Sequence, residues 1–325
     1  MERLPKLSIG IPVFNGANYL PELLVNLQNQ TFGDFEIVVC DNASTDATQQ
    51  LCVDFVGKDR RIRYYRNEYN LGANPNYNKT FALARAALFK WAAHDDLYHG
   101  TFLERCVAML DADPSAVLAH SDFACIDDAG RPFAAGHAPF TFVDPRSGQI
   151  FKGDPLGLAE GESTLWRFCE VLFRMECNMQ IFGVIRRPAL ARTGLMRDFY
   201  GTDKTILAEL ALLGPFRHAH EQLYYKRFHN STSWTLSIDE RRAWANSSAG
   251  RYSLRLRQLA AFGSAPFAKG LSRAQIAACL SLVSLLGIKV AIRFLRGYER
   301  KRKLQVTPWR KTATHLDSLQ RSPPA

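Results

Sequence analysis

The sequence offers no cysteine framework. Its seven cysteines (Cys40, Cys52, Cys106, Cys125, Cys169, Cys177 and Cys279) are scattered and odd in number, with no Cys-x-x-Cys spacing. That excludes a disulfide scaffold and a cysteine zinc site. Thiols in apolar company read as core residues, in keeping with a reducing, cytoplasmic setting. No signal-type apolar segment follows Met1-Glu2-Arg3-Leu4-Pro5. No uncharged apolar run reaches the length expected of a bilayer span. There is no internal repeat and nothing resembling a nucleic-acid module, so no nucleic-acid partner is expected. The turn Val13-Phe14-Asn15-Gly16 lacks the Lys or Arg of a glycine-rich phosphate loop.

What is present is an ordinary globular balance, 47% hydrophobic and 22% charged residues over 325 positions. That length suits one large domain or a domain with an appendage. The net charge, 41 − 31 = +10, favours anionic or phosphorylated partners. The chain is organised around His94-Asp95-Asp96, which follows the apolar run 88–93 and precedes a helical pattern from Thr101. Such a run reads as a buried strand, so the acids sit outside its carboxyl end, where open parallel sheets bind ligands. Adjacent carboxylates repel unless compensated, and a hard divalent cation is the usual compensation. The alternative is a helix start decorated with acids.

Strands are predicted near 7–11, 35–40, 62–65, 88–93 and 116–120, alternating with helices near 18–30, 46–56, 76–85 and 101–110. That is an α/β domain with a mostly parallel sheet. Right-handed crossovers gather Asn15, Asp41, Asn67, Asn70, Asp95 and Asp96 at one sheet edge. The Pro- and Gly-rich stretch Arg131–Gly161 has no periodicity and reads as an irregular, acceptor-facing loop. A strand is expected over Asn178–Ile185, a helix over Asp203–Leu213 and a strand over Leu223–His229. A boundary near Ile238 divides the chain into residues 1–237 and a helical, basic extension, 238–325, whose tail is expected to be disordered. Residues 274–288 carry no charge; Lys289, Arg293, Arg296, Arg300, Lys301, Arg302 and Lys303 follow. An apolar segment joined to a polybasic one suits an anionic membrane surface. A helix packed on the domain with a solvated basic tail is the other reading.

In order and spacing, Pro12-Val13-Phe14-Asn15, Asp41-Asn42-Ala43-Ser44-Thr45-Asp46, Asn70-Leu71-Gly72 and His94-Asp95-Asp96 resemble the family-2 glycosyltransferases of GT-A fold. The likeness covers the first third of the chain well and the next third loosely. It implies a Rossmann-like sheet and inverting transfer of a hexosyl or related sugar. The implied donor is a UDP-, dTDP- or GDP-sugar, with Mg²⁺ or Mn²⁺ as cofactor. The implied acceptor is a hydroxyl of a glycan or lipid-linked saccharide in envelope or polysaccharide biosynthesis, at the inner face of the cytoplasmic membrane.

Carried over by position, the resemblance puts Pro12, Phe14 and Asn15 along the nucleotide cleft and Asp41 against the base. Asn70 and Gly72 flank the nucleotide, and Asn78 falls next to a donor-phosphate position. Asp95 and Asp96 hold the metal, Asp203 acts as acceptor base, and Arg227 and His229 lie near the diphosphate, His229 as a metal ligand. Two positions depart from the pattern: Ala93 replaces the first acid of Asp-x-Asp, and Tyr77 stands where an Arg is usual. Several residues keep a plainer reading. Asp203 is a helix cap or a base, His229 a strand histidine or a ligand, and Asn70 with Gly72 a turn former. A nucleotidyltransferase and a catalytically silent sugar-nucleotide-binding paralogue are the rival functions.

Overall fold

The structure is a computed structural model that describes residues 3–137, 141–145, 148, 150–154, 157–229, 238–245 and 251–305. In the first part β1 (Leu7–Val13), α1 (Leu20–Gln28), β2 (Phe35–Asp41), α2 (Thr48–Lys58), β3 (Ile62–Arg66), α3 (Ala73–Leu83) and β4 (Leu88–Trp91) alternate as expected. Next come β5 (Leu97–Tyr98), α4 (Phe102–Ala112), β6 (Leu118–Ile126), β7 (Ala134–Ala135), β8 (Thr141–Val143), β9 (Ile150–Lys152) and α5 (Thr164–Phe173). The chain continues through β10 (Val184–Arg186), α6 (Arg187–Leu190), α7 (Thr202–Leu213), β11 (Phe216–Arg227), α8 (Ile238–Trp244), α9 (Arg251–Ser264) and α10 (Arg273–Gln305).

One eight-stranded sheet runs in the order β3-β2-β1-β4-β10-β6-β11-β5. β10 is antiparallel to both β4 and β6, and β5 is antiparallel to β11; the other pairs are parallel. Every residue of β1 and β2 is buried, which is why both read as continuous apolar runs rather than alternating ones. α1 lays Leu20, Leu23, Leu24 and Leu27 on the sheet. Each is fully covered, and burying a leucine contributes about 1.5–3 kcal/mol. With Ile9, Ile11, Ile37 and Val39 they form the core on which the loops of the carboxyl edge rest.

Three expectations are corrected. The stretch 131–161 is not wholly irregular: β7, β8 and β9 form a small antiparallel sheet, and Phe133, Phe228 and Cys125 bury beside it, with Phe142 and Phe151 packed on them. No described residue from 133 to 154 lines the main cavity. The expected strand at 178–185 is a 3-10 turn, Met179–Phe182, followed by the three-residue β10. Residues Arg273–Ile292, with a mean hydropathy of 2.0, make a helix long and apolar enough to cross a membrane. Counting only the uncharged run 274–288 missed this, because Arg273 and Lys289 can sit towards the ends of a span.

The chain divides into two compact units, Met1–Val283 and Ser284–Ala325. α9 packs on α7 within the first unit, with Phe262 buried. The boundary expected at 237/238 adjoins residues 230–237, which lie outside the described residues, as does the tail from 306. In the second unit the described part is helical throughout, and the side chains of residues 293–305 are not among those described.

Candidate active site

At the carboxyl edge the loops after β1, β2 and β3 are locked to one another by asparagines. Buried Asn42 donates to Asn70 Oδ1 (2.7 Å) and the Gly72 carbonyl (3.1 Å). It accepts from Asn67 Nδ2 and the Leu71 N–H, each at 2.9 Å. Asn67 also donates to Asn76 Oδ1, and Asn76 to the Cys40 carbonyl (2.8 Å), which fastens α3 to the end of β2. Gly72 enters α3 at φ 82°, a backbone conformation that glycine takes without strain. Asn15, itself left-handed at φ 52°, receives the Thr45 N–H and donates its own N–H to Ser44 Oγ. A buried polar network satisfied this fully is rigid.

Asp41 belongs to this scaffold. It is fully buried, and its oxygens accept from Tyr64 Oη (2.6 Å), Arg66 Nη1 (2.5 Å) and the Ser44 N–H (2.8 Å). It does not line the cavity. In this scaffold Asp41 ties the end of β2 to β3 and to the loop that follows. Asn78 is likewise a clamp. Its amide exchanges two hydrogen bonds with the Met196 backbone (2.8 and 3.0 Å). Asn74 donates to the Arg197 and Phe199 carbonyls. Together the two fix the loop that leads to Asp203.

The acidic pair separates into two roles. Asp96 is fully buried and accepts from Tyr224 Oη, Lys226 Nζ (3.0 Å) and the Arg227 N–H (3.0 Å). Both its oxygens are committed and it does not reach the cavity, so the expectation of Asp96 as a metal ligand is corrected. Asp95 does line the cavity, with its Oδ2 2.9 Å from His229 Nε2. Their side chains are only 10% and 11% exposed. Burial opposes the Asp95 charge, but Lys226 and then His229 outweigh it and hold the carboxyl well below the usual range. Burial also opposes the Lys226 charge, and Asp95 and Asp96 outweigh it, so the ammonium stays protonated.

The Asp95 and His229 donors suit a divalent ion. If such an ion is bound, Asp95 and His229 would hold it in place of the hydrogen bond they now share. One carboxylate and one imidazole leave positions for water and a substrate diphosphate.

Arg227 does not line the cavity. It is 1% exposed, and its guanidinium donates to the Asp95 and Asp128 carbonyls and to Glu22 (2.7 Å). Its neighbour Lys226 does line the cavity.

Asp203 sits in the first turn of α7, behind Gly201, which occupies the N-cap at φ 85°. Asp203 is therefore not the cap. Its Oδ1 is covered yet has no hydrogen-bond partner. Burial raises its carboxyl pKa, while the Lys204 N–H and the Asn178 side chain oppose that rise. Such a group is suited to accept a proton from a ligand hydroxyl.

The cavity measures ≈ 970 Å³. Of the residues singled out from the sequence, Pro12, Phe14, Asn15, Asn70, Asp95, Asp203 and His229 line it; Gly72, Asn78, Asp41, Asp96 and Arg227 do not. Lys226, Tyr77, Asn178 and Trp244 also line it, and sequence reasoning missed their part in the site.

The profile of the family described as glycosyl transferase family 2 matches residues 8–163. A Campylobacter jejuni protein, GalNAc(5)-diNAcBac-PP-undecaprenol beta-1,3-glucosyltransferase, is 38% identical over 237 residues, covering 73% of this chain and 69% of that protein. The chain belongs to glycosyl transferase family 2. Other family relatives align less fully. An uncharacterized glycosyltransferase of Rickettsia typhi is 31% identical over 124 residues, and the chain spans 38% of its length. Chondroitin synthase of Escherichia coli is spanned to 20%. Among solved structures, S. aureus TarS residues 1–349 share the fold, with a TM-score of 0.57 at 17% identity over 87% of this chain and 72% of that one. The mannosyltransferase PcManGT of Pyrobaculum calidifontis, in complex with GDP-Man and Mn²⁺, gives 0.51 at 16% identity over 94% and 85%. The GT-A-type sheet expected from the resemblance is thus the sheet observed.

Proposed function

We propose that this family 2 protein is a metal-assisted inverting glycosyltransferase. It would move a sugar from a nucleoside-diphosphate sugar to a hydroxyl of a lipid-linked saccharide in envelope glycan assembly. The observation that carries the reading is the meeting, in one cavity, of the Asp95–His229 pair with the unpartnered Asp203 oxygen. Mg²⁺ or Mn²⁺ held by Asp95 and His229 would supply Lewis-acid neutralisation of the departing diphosphate. Lys226 adds a fixed positive charge beside it. The asparagine-braced loops keep the nucleotide side preformed, so little ordering is needed on binding. Asp203 removes the proton from the attacking hydroxyl, and a single displacement then inverts the anomeric centre. Trp244, 39% exposed and edge-on to Tyr200, offers an apolar face to a sugar ring.

The lipid-linked acceptor is supported by the Campylobacter jejuni relative, named for a PP-undecaprenol substrate. It is supported too by α10, whose Leu285, Ile288 and Ile292 are exposed. We read the α10 segment as membrane-associated, on the cytoplasmic face, and the division at 237/238 as the end of the catalytic domain. The silent-paralogue reading rests on Ala93 alone; the nucleotidyltransferase reading has no basic phosphate loop after β1 to support it. The test is nucleotide binding, by thermal shift, of UDP, dTDP and GDP with and without Mn²⁺. Stabilisation by one diphosphate should need Mn²⁺ and should vanish in Asp95→Asn and His229→Ala. Equal shifts with and without metal in all three proteins would sink the metal reading. Absence of any transfer or donor hydrolysis would favour the silent paralogue.

A further inference from the structure

We propose that Glu160, His218 and His220 form a second metal site, for a Zn²⁺-class ion, at the sheet edge opposite the active site. One donor atom from each lies within 4.8 Å of the other two. None of the three lines the catalytic cavity. His218 is near the start of β11 and Lys226 near its end, roughly 26 Å apart at about 3.3 Å per strand residue.

The arrangement follows from strand geometry. His218-Ala219-His220 has the i, i+2 spacing that puts two side chains on one face of a regular strand. Here the ladder to β6 shifts register between His218 and Gln222, and His220 adopts φ 52°. The two rings are brought to 4.3 Å between centroids. A non-glycine residue held left-handed in a strand is strained and needs a reason to stay there.

The buried groups point to a ligand. The His218 side chain is 1% exposed, and neither ring nitrogen makes a hydrogen bond; Glu160 Oε1 is also covered and unpartnered. Yet His218 Nδ1 stands 3.7 Å from Glu160 Oε1, and Nε2 stands 2.9 Å from Asp122 Oδ1, off the line that a hydrogen bond needs. A small rotation would let Nε2–H donate to Asp122 while Nδ1 faces a cation. That is the carboxylate–histidine–metal relay that orients ligating imidazoles. His120, opposite His218 on β6, stacks on its ring at 4.6 Å and leaves a second buried nitrogen, Nε2, unpaired. Imidazoles with one carboxylate are a donor set suited to Zn²⁺, and two nearby carboxylates balance its charge. The backbone already joins these segments through Phe216 N–H to the Ala159 carbonyl (2.8 Å). A bound ion would staple the approach to α5 onto β11.

The experiment uses the full chain stripped with a chelator, then titrated with Zn²⁺ alone, in a His229→Ala background that disables the catalytic pair. Metal content after desalting and the absorption spectrum of the Co²⁺-substituted protein are the readouts, neither of which depends on activity. The background protein should retain a single equivalent and unfold at a higher temperature with Zn²⁺. Adding His220→Ala, at an exposed position, or Glu160→Gln should weaken Zn²⁺ binding at least about tenfold. A background protein that retains no Zn²⁺, or either added variant binding within about twofold of it, would overturn the site. A nucleotide-binding failure in the active-site test would leave this result untouched.

Discussion

On the β1–β3 side of the cavity Asn42 alone makes four side-chain hydrogen bonds. On the α7 side Asp203 Oδ1 and Asn178 Oδ1 are buried and make none. The first side is finished before any ligand arrives; the second is left incomplete. Buried unsatisfied groups are rare in native proteins and call for an explanation. On the proposed reading they face the reacting hydroxyl. The donor nucleotide would then meet a rigid frame, and the acceptor would meet groups that each keep one oxygen unpaired.

The largest expected effect comes from the incomplete side. Asp203→Asn should lower turnover by about 10²–10⁴-fold, the usual contribution of a positioned base, while nucleoside-diphosphate affinity and melting temperature hold. Steady-state kinetics with calorimetric binding would check this; unchanged turnover would make Asp203 structural. On the finished side Asp96→Ala should destabilise the fold by about 3–5 kcal/mol, because Lys226 would stay buried without its partner. The metal dependence of nucleotide binding should survive wherever the protein folds, and urea unfolding beside Mn²⁺ titration would separate the two. A smaller loss, about 1–3 kcal/mol, is expected for Asn42→Ala, which removes a buried partner from Asn67, Asn70, Leu71 and Gly72. A melting temperature unchanged in that variant would show the frame to be dispensable.

The smallest expected effect is a pH shift. Burial places the Asp203 carboxyl above its ordinary 3.8. A protonated carboxyl cannot take a proton, so turnover should fall as pH drops through that raised value. Asn178→Ala removes a group that favours the charged form and should move this acid limb to higher pH. A pH–rate profile with the same limb in both proteins would break the proposed link between Asn178 and the base.

Much of this was legible beforehand. The apolar runs of β1 and β2 announced buried parallel strands, and the polar residues closing each strand line or brace the cavity at that edge. What escaped was short or depended on parity. β5 has two residues and β10 three, too few to carry a period. Asp95 and Asp96 are neighbours on a tight loop, so one faces the cavity and the other the interior; composition does not say which. Arg227 and His229 share parity on an ideal strand, but β11 ends at Arg227. Alternation therefore fails where the choice between Lys226, Arg227 and His229 is made. The bonds of Asp41 escaped for another reason: Tyr64 and Arg66, which donate to it, come from β3, and no local pattern links them to β2.

The position of β10 bears on how the chain acquires its structure. Among the described residues this three-residue strand is the one that lies between β4 and β6 in the sheet order. Until residue 186 has emerged, the two ladders that join β4 to β6 cannot form. The stretch that carries the family signature, 8–163, would by itself leave β4 and β6 with bare apolar edges, and such edges invite pairing with other chains. Closure across so long a separation is slow. The segment that identifies the protein is therefore not one that can be excised and expected to fold, and a nascent chain arrested before β10 should depend on chaperones to stay soluble.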